Sequence, residues 1–231
     1  MTTTIIDSNT QRFRRRPLHE DVAEYLREMI TNETLPEGSH IDESALCVNF
    51  DISRTPLREA LKVLQAEGLV SIEPNRGSHV SITKADELEQ LFEVLSGIER
   101  LAAELCCQQA DANSLKIFSR LQAQMENAFA NNDRSKYFSA CQSAHQMVIQ
   151  LAGNKILATT HRLLVSRTRR TRFRAIASKS RWKQSVEEHR ALTAALINRD
   201  TQQAGRTLAN HVRGSGQAIV DHLRKPNSAP K

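Results

Sequence analysis

Aromatic side chains are scarce in this chain: Phe, Tyr and Trp make up 4% of 231 residues. Ala, Leu, Arg and Gln are common instead, a balance that favours helices. No apolar run approaches the roughly 18 residues of a membrane-spanning helix. In the opening MTTTIIDSNTQRFRRR a short apolar piece precedes the charges, the wrong order for a secretory signal, so a cytoplasmic protein is expected. Cys47, Cys106, Cys107 and Cys141 show no CxxC spacing and read as reduced thiols rather than a disulfide framework. No repeat of fixed period is visible.

What is present suffices for one large or two small cores, at 39% hydrophobic residues. The formal net charge of +6 is unevenly spread. Residues 1–80 carry 9 Lys and Arg against 13 Asp and Glu, whereas residues 81–231 carry 23 against 13. The high total is therefore no argument for a polyanionic partner. The local cations are: Arg12, Arg14, Arg15 and Arg16 in an N-terminal arm, Arg54, Arg58 and Lys62 along one segment, and Arg76 in a turn. Phosphate contact needs cations on one surface, not a high sum.

Residues 1–16 have no apolar period and read as a disordered basic arm. Pro17 suits a first helical position, and Val22, Leu26, Met29 and Ile30 recur at helical spacing over 17–32. Asp42 is a candidate cap for a helix over 43–50, and Ser53 for one over 54–67 that Gly68 ends. Val70 and Ile72, then Val80 and Ile82, alternate as two strands about the turn Pro74-Asn75-Arg76-Gly77. Helix, tight turn, helix and wing are the layout of a DNA-reading helix-turn-helix. In that layout Arg54 and Arg58 meet base edges in the major groove. Ser53 and Thr55 offer hydroxyls and backbone N–H groups to phosphate, and Arg76 with Gly77 forms the wing tip. The residues also resemble the winged helix of the GntR family of bacterial transcription regulators. Its SRTPVREAL is matched by Ser53-Arg54-Thr55-Pro56-Leu57-Arg58-Glu59-Ala60-Leu61, and its EGL followed by RG by Glu67-Gly68-Leu69 and Arg76-Gly77.

From Lys84 strand signals vanish. Helical periods run over about 84–109, 112–131, 134–152, 155–177, 180–198 and 200–224, and the residues after 224 read as a frayed tail. The expected fold is mainly α: a winged helix-turn-helix over 17–82, then an all-α antiparallel bundle of six helices over 84–224. This half resembles the FCD effector-binding domain of FadR-type GntR regulators. The matching pieces are Phe92-Glu93-Val94 with Ile98-Glu99, His145 with Asn154, and Glu188 to Asp200 with Ala204 and His211. Six helices rather than seven resemble the VanR-type subgroup.

The resemblance implies a divalent, zinc-like metal held by one Asp and three His. His145, His189 and His211 match the histidines, but Cys141 stands where the family has Asp and Ala144 where it has Phe. Thiolate and imidazole both suit zinc in a tetrahedral set. The alternative is a metal-free pocket whose imidazoles bond ligand or water, with Cys141 a buried thiol of raised pKa and a poor ligand. His161, His19, His40, His79 and His222 match no ligand position and read as ordinary polar residues. Leu95 stands where many such domains place an Arg that clasps a carboxylate. Compensation is sought in the cation run 162–183, which has no Asp or Glu and sets Arg167, Arg170 and Arg174 on one face. Arg170, Arg174 and Asn154 are the candidate effector contacts.

The reading that follows is a homodimeric regulator on pseudo-palindromic operator DNA, a repressor of genes for metabolism of a small organic acid, released by a small carboxylate metabolite. Two alternatives stay open. A helical metallohydrolase could use the Cys/His site, although no HExxH-like base is at hand. An architectural DNA-binding protein could carry a purely structural helical half.

Overall fold

The computed structural model describes residues 17–31, 34–74, 76–82, 84–175 and 178–224, with 169, 170 and 172–175 described by helical backbone alone. The expected arm, the tail after 224 and the side chains of Arg170 and Arg174 lie outside the described residues.

The first unit holds α1 (Leu18–Thr31), β1 (His40–Ile41), α2 (Glu43–Phe50), α3 (Arg54–Ala66), β2 (Val70–Glu73) and β3 (Gly77–Val80). Helix α1 starts one residue later than the sequence suggests, because Pro17 stands just outside and its carbonyl accepts from Glu20 N at 2.9 Å. Asp42 caps α2, accepting from Ser44 N and Ala45 N at 2.9 Å each. Ser53 occupies the corresponding position before α3 but makes no side-chain cap bond, so it marks the helix start without closing it. The end of α3 is a Schellman turn: Leu69 N donates to Leu64 O and Gly68 N to Gln65 O, with Gly68 at φ +73°. Strand order is β1-β3-β2, both pairs antiparallel. The two-residue β1 has no signal in the sequence; it pairs His40 with His79 and Ile41 with Ser78. Leu26, Ile30, Leu57, Leu61, Leu64 and Val80 make this unit's core. Arg27 grips Glu67 with two nitrogens, at 2.7 and 2.8 Å, and so pins α1 to the end of α3.

Six helices follow: α4 (Ala85–Gln109), α5 (Ala112–Ala130), α6 (Arg134–Leu151), α7 (Lys155–Ala175), α8 (Lys179–Ile197) and α9 (Thr201–Arg224). The breaks between them are capping positions. Asp111, Asp133, Asn154 and Asp200 each accept a backbone N–H three residues on, at 2.7–3.0 Å. Two apolar cores fill the bundle. One gathers Phe118, Met125, Tyr137, Val148, Trp182, Leu192 and Leu208. The other joins the first half of α4 to α9 through Leu88, Phe92, Leu95, Val212 and Ile219. Antiparallel pairing of α4 with α9 is closed at one end by Arg224, which donates to Asp86 at 2.6 Å and Glu89 at 2.8 Å.

Close approach of α4 and α9 depends on Gly216. A Cβ built there would lie 2.5 Å from Phe92 Cγ and 2.6 Å from its Cβ. Gly→Ala in a helix ordinarily stabilises by about 1 kcal/mol, but overpacking a filled core costs about 1–3 kcal/mol. Gly216→Ala is therefore expected to lower the free energy of unfolding, measured by urea titration of circular dichroism, against the sign of its helix propensity.

Candidate functional site

Helix α3 presents its polar face outward. Ser53, Arg54, Thr55 and Arg58 are exposed, while Leu57, Ala60, Leu61 and Leu64 are buried. The two arginines are held loosely: Arg54 Nη2 reaches Ser44 Oγ at 3.4 Å and Arg58 Nε reaches Glu43 Oε2 at 3.3 Å. An exposed ion pair such as Arg58–Glu43 is worth under about 1 kcal/mol, and the long Arg54–Ser44 hydrogen bond is no stronger, so both side chains can be redirected cheaply. Glu43 is fixed from the other side by Ser78 Oγ at 3.0 Å, which docks α2 against β3. Arg76 is exposed at the wing turn, and Gly77 sits at φ +81° with His40 Nε2 3.0 Å from where a Cβ would be. The sequence-derived cation set thus lies on exposed parts of α3 and the wing.

The second constellation is internal. Cys141 and His145 come from α6, His189 from α8 and His211 from α9, and one donor atom from each lies within 4.8 Å of the others. All four are buried. Among the described residues, no other group of three or more potential ligands is so assembled. Helical spacing explains the convergence. Cys141 and His145 are one turn apart, and each histidine occupies a core-facing position flanked by Val148, Leu192 or Leu208. Ring centroids lie 4.5 Å apart for His189 and His211, and 5.1 and 5.3 Å from His145 to those two.

Carboxylates fix two of the rings from behind. His145 Nδ1 donates to Glu99 of α4, which is fully buried, and His161 Nε2 of α7 donates to the same carboxylate at 3.1 Å. His211 Nδ1 donates to Glu188 Oε2 at 2.8 Å, and Arg181 Nη2 donates to that oxygen at 2.9 Å. Bonding through Nδ1 leaves Nε2 of both rings for a ligand or ion, the arrangement common behind metal-binding histidines. His161, expected to be an ordinary polar residue, is instead buried and part of this network.

The groups sort by charge. Burial opposes ionisation of Cys141, but His189 and His145 outweigh it and hold the thiol down, to about 5. Of the two readings, those two neighbours favour the thiolate over the buried thiol of raised pKa. Burial likewise disfavours a charged His145, yet Glu99 and Cys141 raise it to about 9. His189 and His211 are pushed down to about 4, in both cases chiefly by burial. The donor set is one thiolate and imidazoles, two of them neutral, which suits tetrahedral zinc. Cys141 Sγ and His189 Nε2 are 3.2 Å apart, near the roughly 3.6 Å that a shared zinc would set. His189 Nδ1 has no partner among the described residues, an orphaned buried atom of the kind that functional sites tolerate.

Beside the cluster lies a cavity of about 20 Å³, room for a water-sized group, lined by Phe92, Tyr137, Phe138, Cys141, His145, Ser185, His211 and Ser215 among others. Asn154 does not reach it; that side chain caps α7 at the surface. Leu95 is fully buried in the apolar α4–α9 core. Glu99 and Arg181 were missed by sequence reasoning. Their signal is a charged residue at a core-facing position: Glu99 falls in the stripe Phe92, Leu95, Ala102, Ala103, Cys106, and Arg181 lies one turn before buried Ser185.

Residues 90–214 match the family model described as FCD domain, and residues 18–80 the model described as bacterial regulatory proteins, gntR family. An uncharacterized HTH-type transcriptional regulator of Bacillus subtilis, YdhC, is 28% identical over 133 residues, a match spanning 57% of this chain and 59% of that protein. The HTH-type transcriptional repressor RspR of Escherichia coli is 23% identical over 92% of each chain. Among solved structures, E. coli McbR/YncC has the same fold, with a TM-score of 0.76 and 18% identity over 90% of this chain and 99% of that one.

The charge pattern gives a pH dependence. Unfolded histidines titrate near 6.5, whereas His189 and His211 stay neutral down to about 4. Between those values the unfolded chain binds more protons, so stability falls as pH is lowered. Above 6.5 the folded chain keeps a proton on His145 and lacks one on Cys141, two effects of opposite sign that offset. The thermal midpoint of metal-free protein is expected to be nearly flat from pH 8.5 to 6.5 and to fall from 6.5 toward 4. His189→Asn should shallow that fall. A midpoint that climbs on acidification would mean that these imidazoles are not held neutral.

Proposed function

The chain belongs to the GntR family of bacterial regulatory proteins, and on that footing we propose that this transcription regulator is a repressor which a small carboxylate metabolite releases from operator DNA. The observation that carries the reading is the convergence of Cys141, His145, His189 and His211 inside a helical unit joined to an exposed arginine-bearing helix. A sealed structural core would not gather four polar donors and two carboxylates, since buried polar groups are costly unless bonded.

In this reading α3 enters the major groove. Arg54 and Arg58 exchange Ser44 and Glu43 for base edges, Ser53 and Thr55 meet phosphate, and Arg76 with Gly77 follows the backbone from the wing. A single winged helix covers a short half-site, so two copies on a pseudo-palindrome are proposed. Helix α4 offers a surface for the second copy: Val94 and Leu101 are exposed, and Ile98 and Leu105 half-buried, along one stripe. The bundle of six helices supports the VanR-like subgroup.

Cys141, His145, His189 and His211 would hold one zinc-like ion, and the ion would supply a Lewis-acidic point for an anionic group. Glu99 and Glu188 keep the rings oriented. Each of these carboxylates already serves two donors, which disfavours the metallohydrolase reading because neither is a free base. Signal transfer to the winged helix has a physical route. Arg167 of α7 ion-pairs with Glu87 at the start of α4, and its Nε lies 2.7 Å from where a Cβ on Gly68 would sit.

Arg58→Ala is expected to weaken operator binding by about 1–3 kcal/mol and to relax specificity at one position per half-site. A variant that binds operator and random DNA as the parent does would remove Arg58 from base reading. Elemental analysis of the full chain purified with zinc should give about one ion per protomer. His189→Ala should lose it and melt at lower temperature, because a closed site's binding energy adds to folding. Zinc content unchanged in His189→Ala would refute the assigned ligand set.

A further inference from the structure

Arg181 has more donors than partners. Its side chain is 8% exposed, yet Nη2 alone serves Glu188 Oε2 at 2.9 Å, His211 O at 3.1 Å and Ser215 Oγ at 3.1 Å. Nε and Nη1 are fully buried and have no partner among the described residues. A guanidinium carries five N–H donors, so three stay unspent where an unmet donor is costly.

The guanidinium packs against α9: its Nη2 lies 3.4 Å and its Nε 3.6 Å from where a Cβ on Gly214 would sit. One turn before the ligands Cys141 and His189 stand Tyr137 and Ser185, and one turn after His211 stands Ser215. Tyr137 Oη donates to Ser185 Oγ at 2.6 Å, in the same sense in which Cys141 meets His189 at 3.2 Å. Helices α6, α8 and α9 thus stack two layers: donor ligands in one, three hydroxyls in the next. Arg181 sits one further turn along α8 and touches the hydroxyl layer at Ser215. Tyr137, Ser185 and Ser215 all line the cavity beside the cluster, with half-buried Phe138 and Gln142 at its rim. Helix α4 brings only the apolar Phe92 to that lining.

We infer that Arg181, with the hydroxyls of Tyr137, Ser185 and Ser215, forms the seat for a carboxylate group of the effector, one helical turn from the Cys/His cluster. The inference rests on the effector-pocket reading above and adds which residues recognise the acid. Charge-assisted bonds from a buried guanidinium favour an anion over its neutral isostere. The cavity is water-sized, so a carboxylate enters as the half-buried Phe138 and Gln142 give way, and the rest of the ligand lies past them. Arg181 also touches Glu188, which holds His211, so occupancy of the seat is felt directly at the cluster.

The test is calorimetric titration of the full zinc-loaded chain with acetate, malonate and succinate, each against its neutral amide. The parent should bind at least one acid, and the matching amide at least tenfold more weakly. Arg181→Gln should lose that acid about tenfold to a hundredfold while keeping its helical circular dichroism and zinc content. His189→Ala, which dismantles the cluster, should lose it too. Retention of parental affinity in Arg181→Gln alongside loss in His189→Ala overturns the seat and leaves the pocket reading standing. A parent that binds none of the acids, or binds amides equally well, overturns both. If Arg181→Gln fails to fold, Ser215→Ala decides: a severalfold loss of acid affinity supports the seat, and unchanged affinity overturns it.

Discussion

A carboxylate with no exposure to solvent sits near the middle of α4, and much of the helical half is arranged around it. Glu99 cannot be buried as an isolated charge without a penalty of several kcal/mol. It accepts from His145 on α6 and His161 on α7, so three helices meet at one carboxyl group. Glu188 repeats the device on the other side, bonded by His211 of α9 and Arg181 of α8. Removing either carboxylate would leave cations and imidazoles facing each other in a dry interior. The cluster is thus sustained by its surroundings before any ligand is considered, the preorganisation that metal and anion sites require.

The two halves use charge in opposite ways. On the winged helix the cations proposed to read DNA are exposed and weakly paired, at 3.3–3.4 Å, so they can change partner on contact with a polyanion. Around the cluster the charged groups are buried or nearly so and hydrogen-bonded, apart from the surplus on Arg181 and one nitrogen of His189. A reader of DNA gains from side chains that adapt along the groove, whereas selecting one small molecule needs side chains that do not move.

The elements were legible in the sequence because their ends carry chemistry. Asp111, Asp133, Asn154 and Asp200 announce helices by the bonds their side chains make, and Gly68 closes α3 with the turn only a left-handed residue allows. Convergence of the three histidines with Cys141 was legible through the resemblance to the FCD domain, and their apolar neighbours at helical spacing agree with it. Glu99 and Arg181 were not, since a charged residue on a helix defaults to the surface and only its partners, 46 and 7 residues away in sequence, reverse that default. His161 was passed over for the same reason. The ionisation of Cys141 stayed open between thiolate and buried thiol because burial and neighbouring imidazoles push in opposite directions, and spacing does not say which wins. Strand β1 has two residues, too few for any alternation to show.

Helix α4 is a single rod of 25 residues, about 37 Å long. Its first turns carry the Asp86, Glu87 and Glu89 pairs beside the winged helix, and Glu99 anchors it twelve residues further in. Pivoting at Glu99, the rod is a lever with an arm of about 18 Å to Glu87. A tilt of about 5° at the anchor carries Glu87 sideways by about 1.6 Å, enough to part an ion pair. Summed over two such rods in the proposed dimer, the change in separation would reach about 3 Å, close to the rise of one base-pair step. The displacement asked of the buried end is far smaller than the one delivered at the nucleic-acid end.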